Sequence, residues 1–250
     1  MVSFTHEQAG TSEAQWQQWV ALQHVRPLVG ELPPKLVVLA AHPDDETLGA
    51  GALIAQTATA GAQVHVLVAT RGEASHPHSP THSARRLAAL RTREVRAAVR
   101  ALAPCARVHQ LALPDGQLAG HLPELIEHLG ELVSPGAWLV APWRGDGHPD
   151  HEAAGEAAAE VASHTGVQLL EYPLWAWHWA VPGDLRLPWS AMRAVPVSAD
   201  GRARKKAAMA EHVTQVRALS SAAGDAALLG PSLLAHFARN VEMFVVSAGR

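Results

Sequence analysis

Two apolar runs in this chain each end in a loop crowded with imidazole and carboxylate. Leu36-Val37-Val38-Leu39-Ala40-Ala41 runs straight into His42-Pro43-Asp44-Asp45, and Trp138-Leu139-Val140-Ala141 is followed by a short loop carrying His148-Pro149-Asp150-His151. Apolar runs of this length bounded by turn residues read as strands buried on both faces, as in a parallel sheet. Segments rich in small and apolar residues follow both loops, at Thr47 to Ala60 and Glu152 to Ser163. Each loop therefore joins a strand to a helix. In parallel sheets covered by helices, ligands bind beyond the carboxyl ends of the strands. Side by side there, the two loops would offer nitrogen and oxygen ligands to one divalent metal and leave carboxylates for acid–base work.

The rest of the chain repeats the alternation. Val64 to Ala69 reads as a strand, Ser83 to Ala103 as a long helix with Leu87, Leu90, Ala98, Val99 and Leu102 on one side, and Val108 to Leu113 as a strand before the turn Pro114-Asp115-Gly116. Leu122 to Val133 reads as a helix and Val167 to Tyr172 as a strand. Ser12 to Gln15 has the form of a capping box that starts an N-terminal helix. The expected fold is α/β, a Rossmann-like, mostly parallel sheet with helices on both faces, in one domain over 1–250. From Pro173 the pattern is less regular, with helices expected at Arg202–Ser221 and Ser232–Arg239 and an edge strand at Val241–Val246.

Composition narrows the function. Hydrophobic residues make up 48% and charged residues 17%, enough apolar material for a large core and too little charge for disorder. The net charge of −3 argues against nucleic acid, which needs a basic stripe. The densest basic run, Arg202, Arg204, Lys205 and Lys206, reads as a solvated helix face. The single cysteine, Cys105, excludes an intrachain disulfide and reads as a buried or inert thiol. No leader and no membrane-spanning run is visible, so a cytoplasmic protein is expected.

Adjacent Asp44 and Asp45 cannot both point to one place, so one carboxylate can bind metal while its neighbour faces the bound water. With 16 histidines in the chain, a lone His-Pro-Asp would mean little. Two such loops, both at strand ends, reverse that judgement, because clustered like charges without compensation are costly. Gly49 and Gly51 suggest a dinucleotide-binding turn, but the last glycine of that fingerprint is absent and Asp44, Asp45 and Glu46 would repel a pyrophosphate. Close packing of the helix on the sheet explains the two glycines better.

His42-Pro43-Asp44-Asp45-Glu46 with His148-Pro149-Asp150-His151 resembles the LmbE-like, or PIG-L, family of metal-dependent N-acetylglucosaminyl de-N-acetylases. Ala69-Thr70-Arg71-Gly72-Glu73, Arg91-Thr92-Arg93-Glu94 and Leu113-Pro114-Asp115-Gly116 resemble further motifs of that family, in order, and Lys206 and Gln215 match more loosely. The resemblance implies that His42, Asp45 and His151 bind the metal, usually zinc, with iron(II) or another divalent ion as alternatives. It implies Asp44 as the general base for attack of a metal-bound water, His148 as the electrophilic or acid partner, and Arg71 as a contact to sugar hydroxyls. Asp150 would orient an imidazole behind the ligands. Asp146 stands where some members have a tyrosine, and it is expected to orient His148.

The reaction so implied removes an N-acetyl group from an N-acetylglucosamine-type conjugate. An amidase taking a larger acyl group, or a sugar- or nucleotide-binding protein without turnover, are the alternatives. Trp143, close to His148, is the candidate pocket wall. Trp175, Trp177 and Trp179 alternate at period two and are expected to pack against the sheet or against a partner subunit of a homo-oligomer rather than to stack on sugars. The loop holding His76, His78 and His82 reads as solvated, near the mouth of the site.

Overall fold

The computed structural model describes residue 4 and residues 8–247. Most of the N-terminal stretch read for a leader lies outside the described residues. Two short helices, α1 (Glu13–Gln18) and α2 (Val20–Gln23), precede β1 (Lys35–Ala40). Then follow α3 (Asp45–Thr59), β2 (Gln63–Thr70), α4 (Ala84–Leu102), β3 (Arg107–Leu113), α5 (Leu122–Leu132), β4 (Trp138–Pro142), α6 (Pro149–Thr165) and β5 (Gln168–Tyr172). The less regular portion holds α7 (Ala176–Trp179), β6 (Met192–Pro196), α8 (Ala199–Glu211), α9 (Val213–Val216), α10 (Pro231–His236) and β7 (Val241–Val246). The capping box at Ser12 is formed, its hydroxyl accepting from the Gln15 amide.

The strands make one seven-stranded sheet in the order β3-β2-β1-β4-β5-β7-β6, parallel from β3 to β5 and antiparallel at β7 and β6. Successive side chains of a strand point to opposite faces, and the core divides accordingly. Leu36, Val38 and Ala40 join one apolar cluster with Val95, Val99 and Leu102 of α4; Val37, Leu39 and Ala41 join another with Leu125 and Leu129 of α5 and Ala154 and Ala158 of α6. The expected α/β architecture with helices on both faces is what the chain forms.

Several expectations change. Val241–Val246 is not an edge strand: β6 pairs outside it, Met192 against Val245. Lys205 does not belong to a solvated face, because its ammonium is buried and pairs with Glu242 at 2.6 Å. The same ammonium donates to the Leu48 carbonyl at 2.7 Å, and the Glu242 carboxylate accepts from the Ala52 and Leu53 amides at 2.8 Å. The pair thus ties α8 and β7 into the backbone of α3. Cys105 is exposed in the turn after α4 rather than buried. Gly49 explains the closeness of α3 to β5, since a Cβ there would meet the Tyr172 ring at 2.2 Å.

The sheet reverses its order between β1 and β4, which are parallel neighbours, so the β1–α3 and β4–α6 loops leave the same end side by side. That is the switch point where such sheets bind ligands.

Candidate metal centre

Asp45 opens α3, and its Oδ2 accepts the His42 amide at 2.8 Å, closing the turn. His151 lies in the first turn of α6, which starts at Pro149. Each imidazole is fixed from behind. His42 Nε2 faces Asp115 at 3.1 Å and Asp150 at 3.2 Å, leaving Nδ1 towards Asp45 Oδ2 at 3.6 Å. His151 Nδ1 is 2.7 Å from Asp146, leaving Nε2 towards Asp45 Oδ1 at 3.3 Å. The two forward nitrogens therefore converge on one carboxylate. His148 closes the group, its ring 5.0 Å from that of His42 and 4.6 Å from that of His151. Donor atoms of His42, His148 and His151 lie within 4.8 Å of one another, as do those of His42, Asp115 and Asp150.

The electrostatics of the site ask for a cation. Against the cost of burial, Asp115, Asp150 and Asp45 hold the His42 imidazolium well above its usual range. Burial likewise opposes charge on His151, yet Asp45 and Asp146 raise it to about 9. Asp45 is held well below the usual carboxylate range, against burial, by His151 and His42. Buried carboxylates that favour protonated imidazoles also favour a divalent ion in place of the protons. The donors present fit such an ion: two imidazoles and a carboxylate in front, carboxylates behind.

Asp44 has a different environment. It sits before α3 at φ 140°, a conformation that costs a non-glycine residue about 1–3 kcal/mol and persists only where its surroundings enforce it. Arg91 of α4 enforces it, donating from Nη2 to Asp44 Oδ2 at 3.1 Å and to the Pro43 carbonyl at 2.7 Å. Arg91 Nη1 donates to the Gly72 carbonyl at 2.9 Å, and the approach is so close that a Cβ on Gly72, itself at φ +64°, would collide with the guanidinium. Burial pushes the Asp44 carboxyl up to about 6, against the pull of Arg91. Burial and the neighbouring His151 and His42 push His148 down to about 3. Its Nδ1 accepts the Asp150 amide at 3.3 Å, so the proton of the neutral ring sits on Nε2.

His42, Asp44, Asp45, Arg91, His148 and His151 line a cavity of about 780 Å³ at the switch point. The family model described as GlcNAc-PI de-N-acetylase, PIG-L, matches residues 37–162, which hold both loops. The chain belongs to the PIG-L family. Among curated relatives, the 1D-myo-inositol 2-acetamido-2-deoxy-alpha-D-glucopyranoside deacetylase of Mycobacterium tuberculosis is 30% identical, over 73% of this chain and 80% of that protein. The enzyme of the same name from Actinosynnema mirum is 30% identical over 55% of this chain, a match that spans 58% of that relative. Among solved structures, the N,N'-diacetylchitobiose deacetylase from Pyrococcus horikoshii superposes with a TM-score of 0.57 at 20% identity, covering 72% of this chain and 70% of that one. A conserved protein from Thermus thermophilus gives 0.62 at 24%, over 86% and 95%. At these identities the structural likeness speaks for the fold.

Other PIG-L motifs of the sequence find physical roles. Glu94 of the Arg-x-x-Glu helix caps α9, accepting from the Thr214 amide at 2.9 Å and from its hydroxyl at 2.7 Å. Gln215 lines the cavity. Asp146 is turned towards His151, not His148, and also accepts the amides of Leu174, Trp175 and Ala176. Arg71 and Trp143 are not among the cavity-lining residues: Arg71 is exposed, and Trp143 packs over Gly145. Trp175, with Phe4 and Phe237, supplies the aromatic lining instead.

The period-two tryptophans fold as a helical turn and separate. Trp177 is buried edge-on to Trp16, Trp179 Nε1 donates to the Asp146 carbonyl, and Trp175 faces Phe4. The loop of His76, His78 and His82 is tied down. The Ser79 and Thr81 hydroxyls donate to the buried Asp225, and Asp225 also takes the Ser220 hydroxyl. Sequence reasoning gave no role to Asp115 beyond its turn; its position behind His42 depends on the long-range pairing of β3 with β2.

Proposed function

We propose that this chain is a zinc-dependent de-N-acetylase of an N-acetylglucosamine-type conjugate. The observation that carries the reading is the convergence of His42 Nδ1 and His151 Nε2 on Asp45, beside a strained, buried Asp44. His42, Asp45 and His151 would hold the ion, and two nitrogens and one oxygen with room for further ligands suit zinc, or iron(II), best. When bound, the ion supplies a Lewis acid that polarises an amide carbonyl and acidifies water.

The chain's own residues supply the proton chemistry. A carboxylate with its pKa near 6 is a competent base at neutral pH, so Asp44 takes the proton of the attacking water. Arg91 keeps that carboxylate in place and ionised until it accepts the proton. His148, neutral and protonated on Nε2, donates a hydrogen bond to the carbonyl oxygen as negative charge grows there. Protonated Asp44 then returns that proton to the leaving amine, because neutral His148 carries no proton beyond the one it holds on Nε2. The named relatives are deacetylases of an acetamido sugar, which supports an acetamido sugar as substrate here.

The test is acetate release from N-acetylated glycosides, with metal content by mass spectrometry on wild type, His151→Ala and Asp44→Asn. About one metal per chain, lost in His151→Ala but kept in Asp44→Asn with turnover reduced about 10²–10⁴-fold, is the expected result. Protein that fails to take up added zinc, or an Asp44→Asn variant at full rate, would overturn the reading.

A further inference from the structure

The cavity is lined by two unlike sets of residues. One is the charged cluster. The other is apolar, with Leu174 and Trp175 from the β5–α7 segment and Leu228, Leu229, Leu233 and Phe237 from α10 and its flanks. Beside the histidines, the uncharged polar side chains in the lining are Ser75 and Gln215; Ser75 Oγ lies 3.1 Å from His76 Nδ1 and Gln215 Nε2 donates to the Thr214 hydroxyl at 2.9 Å. Such a wall offers dispersion contact and little hydrogen bonding. Sugar hydroxyls placed there would lose water without finding partners, which is costly. At about 780 Å³ the cavity lies in the upper part of the range for drug-sized ligands, about 300–1,000 Å³, more than a single acetamido sugar fills.

The wall is built rather than incidental. The Leu229 amide donates to the Gln215 carbonyl at 3.0 Å, and the Asp225 clasp fixes the strand of chain before Leu228 to the loop holding Ser79. Pro231 starts α10 at its first position, and Leu233 and Phe237, four apart on that helix and its cap, present one apolar stripe.

Building on the deacetylase reading, we propose that the substrate carries an apolar group, an alkyl chain or an aromatic ring system, which this wall receives while the amide lies at the charged cluster. The wall makes the specificity of this chain one for amphiphilic conjugates. The apolar group can be borne by the glycosidic oxygen or by the acyl carbon, and the experiment separates the two.

Dissociation constants are measured by calorimetry for methyl, butyl and octyl glycosides of N-acetylglucosamine, and for methyl glucosaminide carrying acetyl, butanoyl and octanoyl groups. Full burial gives about fourfold per methylene; a tenfold or greater gain from the shortest to the longest member of one series is expected, and that series identifies the bearing atom. The slope should flatten in Leu233→Asn and also in Leu228→Asn, a half-buried position less exposed to misfolding. Equal affinity along both series, or an unchanged slope in both variants, would overturn the proposal. Hydrolysis of the short members with no such slope would leave the deacetylase reading standing alone, whereas a slope without hydrolysis of any member would remove that reading and keep the wall.

Discussion

Arg91 Nη2 lies 3.1 Å from Asp44 Oδ2 and donates from the same nitrogen to the Pro43 carbonyl at 2.7 Å. One guanidinium on α4 therefore holds both the side chain and the backbone of the turn that ends β1. The residue it holds is the one at φ 140°, so the cost of that conformation is met by a side chain 47 positions away.

Replacing Arg91 tests this arrangement. Arg91→Met leaves Asp44 buried without its cation, so its carboxyl rises further above about 6. Because the base must be ionised, the acid limb of kcat/KM moves to higher pH, and turnover at neutral pH falls about 10–100-fold. Metal content should stay near wild type, because Arg91 touches none of the three proposed ligands. A lowered rate with an unmoved acid limb would mean that Arg91 acts on folding and not on the base.

Asp146 offers a complementary test behind the metal site. Its carboxylate fixes His151 Nδ1 at 2.7 Å, which frees Nε2 to point forwards. Asp146→Asn can keep the amides of Leu174 and Ala176 on its one acceptor oxygen, but it removes the charge and sets an NH2 where Oδ2 accepted the Trp175 amide and faced His151 Nδ1. Metal affinity, measured by competition with a chromogenic chelator, should weaken about 10–100-fold. Unchanged affinity would sink the orienting role.

The legibility of the chain divides along the range of the interactions. The strands β1, β2, β4 and β5, the helices between them and the two loops were readable because each is a local pattern: an apolar run, a turn, a periodic segment. The meeting of the two loops followed from parallel neighbours at a switch point, whereas the choice of His42, Asp45 and His151 among their residues came from the family resemblance. What was not readable depends on distant pairings. Lys205 looks like one more charge in a basic run until β7 brings Glu242 beneath it. Asp146 lies near His148 in sequence, yet the helical turn of α6 presents His151 to it instead. Trp175, Trp177 and Trp179 show strand-like spacing, but the segment closes as a helical turn whose first tryptophan faces the cavity. The β6 strand has weak local signal and forms because β7 offers it an antiparallel edge.

The Lys205–Glu242 pair is expected to be structural. Breaking a buried pair by removing one partner strands the other charge, at a cost of about 3–5 kcal/mol. Lys205→Met should lose that much in urea denaturation. Glu242→Gln should lose at least as much, because it strands the Lys205 ammonium and its single amide oxygen can keep only one of the Ala52 and Leu53 amides. A clearly smaller loss than in Lys205→Met would show that the Leu48 carbonyl alone satisfies the ammonium.

Glu13 provides the acid-side probe of the fold. Its carboxylate joins α1 to α10 and its flank, 2.7 Å from His236 Nδ1 and 2.7 Å from Arg239 Nη2. Against the opposing effect of burial, His236 and Arg239 lower its pKa from 4.5 to about 2. A depressed carboxyl stabilises the native state fully above its unfolded value, and that contribution fades as pH falls from about 4.5 towards 2. The side chain keeps 17% of its surface exposed, so water screens part of the interaction, and about 1–2 kcal/mol at pH 7 is expected. Glu13→Gln should therefore melt about 2–4 °C or more below wild type at pH 7. The gap between the two proteins in denaturant should then narrow steadily between pH 4.5 and pH 3, since protonation makes the wild-type side chain neutral like its replacement. The comparison isolates this contact, because every other titrating group is common to both proteins. A gap that stays constant over that interval would mean that shape and packing at the junction of α1 and α10, and not the charge of Glu13, hold the N-terminal helix in place.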